Sequence, residues 1–209
     1  MSTSDVDKPT IEPRWFEIFA TIEAKFEASN IASEKWFLTA LSAITTTSQS
    51  HLCGQLYLYL ISQHAYSTTT ARWELIRCMR EALFKDIALL GFPRPTEGLI
   101  NITKVMSEED RECSFTREGW QCDDANHARG MVLSDRQVLD DVDTQMIVLP
   151  AVMGQDMPRM IYWHIRGTRR LGISKKDVQM VMECVHLVVE ACGVTLKQVP
   201  SVDDVDVDL

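Results

Sequence analysis

The 209-residue sequence has no CxxC pair, no HExxH, no glycine-rich phosphate loop, and only nine glycines and seven prolines. Each shortage excludes something. Without CxxC the six cysteines (Cys53, Cys78, Cys113, Cys122, Cys184, Cys192) stand singly, so neither a zinc ribbon nor a local dithiol is expected. Without a phosphate loop or a spaced His/Asp/Glu set, no nucleotide or metal is implied, and the expected cofactor is none. Basic residues are also in deficit: 21 Lys and Arg stand against 30 Asp and Glu, a formal charge of −9. That balance disfavours nucleic acid as a partner, since phosphate binding wants a cationic surplus. No stretch approaches the roughly 20 apolar residues of a spanning helix, and MSTSDVDKPTIEPRWFEIFA holds no signal-peptide run. The reading is a cytoplasmic chain with reduced thiols and no membrane span.

What the sequence does have is helical periodicity. Hydrophobic residues make up 45% of it, enough for a substantial core. They recur at helical spacing through Trp36, Leu38, Leu41 and Ile44, through Leu56 and Leu60, and from Leu75 to Leu90. Gly91 ends that run, with Pro93 and Pro95 barring continuation. A second set covers Ile147 to Met153, Ile161 to Arg170 and Val178 to Cys192, with Gly193 as the stop, and Ser174 with Asp177 reads as a capping box. No segment reads as a regular strand. Residues 1–13 are expected to be a loose arm and 14–202 one all-helical domain. The charged stretch 107–135 is expected to be a connection in which REGWQCDDANHARGM forms a short helix on Trp120, and 203–209 a solvated acidic tail.

The halves overlay. Matching residue 57 to 164 sets LCGQLYLYLISQHAYS (52–67) against RMIYWHIRGTRRLGIS (159–174), with Tyr57 opposite His164 and Ser67 opposite Ser174. Further on the match runs from 81 to 183 and from 91 to 193, pairing Glu81 with Glu183 and Gly91 with Gly193, so the first copy holds five extra residues near TTTAR. Each copy is a helix, a short turn, a long helix and a glycine stop. A unit of that size cannot bury its apolar face alone, and pairing the two copies in one core is the expected solution.

In the second copy, WHIRGTRRLGIS places a histidine, a small residue four later, a glycine eight later and a serine two beyond that: His164, Thr168, Gly172 and Ser174. This resembles the carboxymuconolactone decarboxylase and alkyl hydroperoxidase D superfamily. Glu183 and Glu81, each ten residues before a glycine, are similar to the family's second helix. HLCGQLYLYLISQ, REALFKDIALLGFPRP, REGWQCDDANHARGM, LSDRQVLDD and WHIRGTRRLGIS together look like a two-repeat branch found mainly in filamentous fungi, over about residues 36–202. The resemblance implies an all-α bundle of two pseudo-symmetric repeats, a site between them, and self-association. Two departures stand out. Where peroxidase members carry CxxCxxxH, this chain has Ser50, Cys53 and Tyr57 in one copy and Met157, Met160 and His164 in the other. The branch's usual few dozen residues between NHARGM and LSDRQVL are also nearly absent.

His164 suits proton transfer near neutral pH, and Arg166 or Arg170, with Trp163 adjacent, could hold a carboxylate or enolate. The alternative is a core histidine whose neighbouring arginines pair with Glu183, Asp177 or the tail. Tyr57 could donate to an oxyanion or simply bury its ring; Cys53 could be a lone nucleophile or a small hydrophobe. Glu81 lies in an apolar helix and needs a cationic partner unless it is a base of raised pKa. His127 and Arg129 could cover a pocket or sit in a solvated turn. Three functions stay open. The first is a cofactor-free lyase, isomerase or cyclase on a small carboxylated or lactone substrate, with His164, Tyr57 and Glu81 as chemical groups and Arg166, Arg170, Trp163 and Cys53 around the substrate. The others are a thiol-dependent peroxide reductase at Cys53 and a non-catalytic helical scaffold.

Overall fold

The computed structural model describes residues 10–111, 133 and 135–206. The expected helix around Trp120, with Cys113, Cys122, His127 and Arg129, lies outside those residues. Among them every regular element is helical: α1 (Pro13–Glu27), α2 (Phe37–Thr45), α3 (Leu52–Ile61), α4 (Thr69–Leu90), α5 (Pro93–Val105), α6 (Asp141–Gly154), α7 (Pro158–Arg170), α8 (Lys175–Ala191) and α9 (Val202–Asp206), with 3-10 turns at Ser33–Lys35, His64–Tyr66 and Glu108–Asp110.

Helices α2 and α6 form the centre because they have no polar face to give to water. All nine residues of α2 are buried, and in α6 burial runs through Asp143, Thr144 and every residue from Met146 to Met153. A helix apolar all round must be covered on every side. The two pack on each other, and the long helices α4 and α8 each pack on both. Helix α3 lies on α5, held close where a Cβ on Gly54 would meet the Asn101 carbonyl at 2.7 Å. Helix α7 lies on α6 and receives α9.

The long helices share their punctuation. Thr68 caps α4 by accepting from Ala71 N, and Ser174 caps α8 by accepting from Asp177 N. The capping box expected at Ser174 is altered, since Asp177 Oδ2 accepts from the Ser174 hydroxyl itself at 2.7 Å. A full capping box starts α6 instead, between Asp140 and Asp143. Both long helices end at glycine in the left-handed region, Gly91 with φ +76° and Gly193 with φ +81°. Helix α4 has 22 residues and α8 17.

Three segments differ from the sequence reading. Pro13, assigned to a loose arm, opens α1, whose Trp15, Ile18, Phe19, Ile22 and Phe26 are core residues. The Phe19 ring stands 5.6 Å from that of Tyr59, and Trp36 stands 5.8 Å from Tyr59. Pro93 does more than bar α4: at the first turn its missing N–H costs nothing, and α5 begins there. The acidic tail is only partly solvated, because Val202 and Val205 are three apart, share a face of α9 and are buried.

Candidate functional site

His164 sits in the middle of α7, half-buried, on the side turned towards α6. Its Nδ1 lies 3.3 Å from Oε1 of Gln145, a half-buried residue of α6. In the tautomer with its hydrogen on Nδ1, the ring donates to the Gln145 carbonyl and Nε2 carries the basic lone pair. The Thr168 hydroxyl, one turn on, donates to the His164 carbonyl at 2.7 Å and closes the same face. Gln145 was not singled out in the sequence, where it closes the polar start of α6 (Asp143, Thr144, Gln145) just before the apolar run.

The other residues around His164 do not converge on it. At about 100° per residue, Arg166 leaves the helix about 200° round the axis from His164. Trp163 and Arg170 are exposed on the outer side, where the Arg159 guanidinium lies 5.5 Å from the centre of the Trp163 ring. Arg169 donates to the Ile173 carbonyl at 2.5 Å. Of the acids considered for these arginines, Glu183 lies 2.9 Å from Lys25, and Asp203 of the tail pairs with Lys175.

Tyr57, on α3, is fully buried and its hydroxyl donates to Asp110 Oδ2 at 3.1 Å. Arg72 Nε meets the other oxygen of Asp110 at 2.6 Å. Burial, followed by the Asp110 charge, drives the phenol pKa upward. Tyr57 thus ties α3 and α4 to the turn at 108–110. Cys53, one turn earlier, has no exposed surface, and burial pushes its thiol up to about 12. Its Sγ would be 3.2 Å from a Cβ on Gly98, so it serves as packing between α3 and α5. Glu81 has its cation: Lys85 Nζ is 3.9 Å away, both groups being buried. Lys85 also donates to the carbonyls of Leu133 at 2.9 Å and Asp135 at 2.8 Å, fastening the connection to α4.

Asp86, which sequence reasoning passed over, is the most deeply buried acid of this region. Its Oδ1 lies 3.0 Å from Ser42 Oγ, which is also 2.8 Å from the Ile147 carbonyl, and its Oδ2 has no hydrogen-bond partner among the described residues. Ser42 has one hydrogen for two acceptors. A protonated Asp86 resolves this by donating to Ser42, which donates onward to Ile147. Burial raises the Asp86 pKa well above the ordinary carboxylate value, in agreement. With the folded pKa raised, this group's contribution to stability is present below about pH 4 and is lost as pH rises towards the folded pKa. Asp86→Asn keeps a donor to Ser42 and removes the titration. Denaturation midpoints should agree near pH 4, after which the variant should gain up to about tenfold in folding constant per pH unit. A difference independent of pH would mean that Asp86 is ionised in the fold.

Among the described residues, no three His, Cys, Asp or Glu side chains group so as to hold a metal, and no helix is long and apolar enough to cross a membrane. No family profile and no solved structure matches the chain. Among curated proteins it is similar to Peroxisomal protein 2 of Schizosaccharomyces pombe, 22% identical over 153 residues that cover 57% of this chain and 72% of that protein.

Proposed function

We propose that this chain is a two-repeat member of the carboxymuconolactone decarboxylase-like superfamily, and that it is a cofactor-free lyase, isomerase or cyclase with His164 as its acid/base. The small carboxylated or lactone substrate follows from that kinship. The duplication draws support from packing: α2 lies on α3 and α4 and across on α8, while α6 lies on α7 and α8 and across on α4. The observation that carries the catalytic part is the His164–Gln145 contact, which holds an imidazole in one orientation on the α6 side of α7. Gln145 is then a positioning residue. Arg166 and Arg170 fall off the His164 side of α7, so we assign the imidazole's surroundings to Gln145 and Thr168. The four described cysteines are free thiols, which a reducing compartment such as the cytosol preserves.

The thiol reading has burial against it: Cys53 has no exposed surface to meet a peroxide, and that burial pushes its thiol up to about 12, away from the reactive thiolate. The scaffold reading has one specific observation in its favour, the engagement of Tyr57 by Asp110. Titration with a panel of carboxylated lactones separates it from the enzyme. The enzyme reading expects at least one ligand whose binding His164→Ala weakens about tenfold or more, as for a lost charge-assisted hydrogen bond. Arg170→Ala should leave that binding unchanged. Absence of binding by the whole panel would favour the scaffold.

A further inference from the structure

The segment Pro158–Arg170 contains four arginines and no lysine, aspartate or glutamate, in a chain of net charge −9. On its outer face Arg159, Trp163 and Arg170 follow at intervals of four and seven residues, so they form one stripe about 16 Å long. Trp163 is 53% exposed, and Met157 and Leu171 at the two ends are 45% and 40% exposed. A ring standing more than half clear of the surface is a protrusion, a ridge where most sites are grooves. Tryptophan, methionine and arginine, with lysine and acids missing, is the composition of a protein–protein contact. The arginines define what must face them, because cations taken out of water need anions. A two-fold pairing of α7 with α7 would set arginine against arginine and is excluded on that ground.

The same chain carries a matching concavity. Between α1 and α8 runs an open groove of about 460 Å³. Its apolar residues are Ile18, Leu187 and Ala191; Glu17 and Glu190 are exposed at it, and its cation is Arg14. We propose that the α7 ridge of one molecule, Arg159–Trp163–Arg170, docks into the α1–α8 groove of a second copy, Trp163 entering between Ile18 and Leu187 while the arginines meet Glu17 and Glu190. Charge complements charge across the pair, and covering Trp163, half of which is already buried, removes the other half of a tryptophan's about 150–250 Å² from water at the centre of the contact. Such a join uses two different surfaces, so it gives a reciprocal dimer or a ring where the rotation closes and an open filament where it does not.

Size-exclusion chromatography with light scattering on the full chain tests this. The wild-type chain should associate. Arg159→Glu with Arg170→Glu should give monomers, as should Glu17→Lys with Glu190→Lys, all at unchanged helical circular dichroism because these side chains are exposed. An equimolar mixture of the two double variants should recover a complex, since the intact ridge of one meets the intact groove of the other. A monomeric wild-type chain overturns the proposal, as does association that survives both double variants. Loss on changing the ridge alone, with the groove variant still associating, gives the ridge another occupant and overturns it too. So does a monomer that binds phosphatidylcholine–phosphatidylserine vesicles through Trp163.

Discussion

Gly154→Val is expected to lower the stability of the chain by about 3 kcal/mol or more, enough to leave a marginal fold largely unfolded. Gly154 is the last residue of α6, where that helix runs against the end of α2. A Cβ built there falls 2.5 Å from Thr46 Cβ and 2.6 Å from its Cγ2, far inside contact distance. Thr46 cannot yield. Its hydroxyl donates to the Ala43 carbonyl at 2.7 Å, and its own carbonyl accepts from Arg94 at the start of α5. Even alanine must push α6 off α2, at a cost of about 1–3 kcal/mol, and valine adds two methyl groups in the same crowded space. Urea denaturation reads the loss directly. Thr46→Gly in the same chain should recover part of it by removing the obstructing atoms, and an alanine variant as stable as wild type would show that α2 and α6 separate easily.

That contact marks a limit of what periodicity can reveal. The helices from α2 to α4 and from α6 to α8 were legible because their apolar spacing and glycine stops are local signals, and Gly91 and Gly193 end α4 and α8 as expected. Helix α1 was hidden by its start: Pro13 closes a polar stretch, and a proline reads as an interruption until the helix after it is seen. The tail was misjudged for its charge, since Val202 and Val205 count for more than the aspartates between them once α7 and α8 offer a surface. Of the candidate site, His164 stood out in the sequence and its contact Gln145 did not, because nothing in the sequence alone says which turn of α6 faces α7. The arginines beside His164 looked like its partners by proximity in sequence, yet a helix turns about 100° per residue and carries Arg166 and Arg170 away from it. Tyr57 aligned with His164 in the repeat, but its hydroxyl had already been taken by Asp110, a partner 53 residues distant.

This asymmetry between the halves leads to the other large effect. In the proposed duplication His164 keeps an oriented imidazole on α7, whereas Tyr57, its counterpart on α3, is buried with its hydroxyl on Asp110, and Cys53 one turn earlier is buried in packing. The second half should therefore hold the chemistry and the first half should support it. Tyr57→Phe removes one hydroxyl and leaves Asp110 with Arg72, so its cost should fall on stability, at about 1–2 kcal/mol. His164→Ala removes the proton-transfer group, which in enzymes contributes about 10²–10⁴-fold. The most direct measurement is kcat/KM of the two variants beside wild type on the lactone or carboxylate that the panel identifies, after thermal unfolding has shown all three to be folded. A 10²–10⁴-fold loss confined to His164→Ala, with Tyr57→Phe near wild type, is the predicted result; equal losses in both variants, or none in His164→Ala, would contradict it.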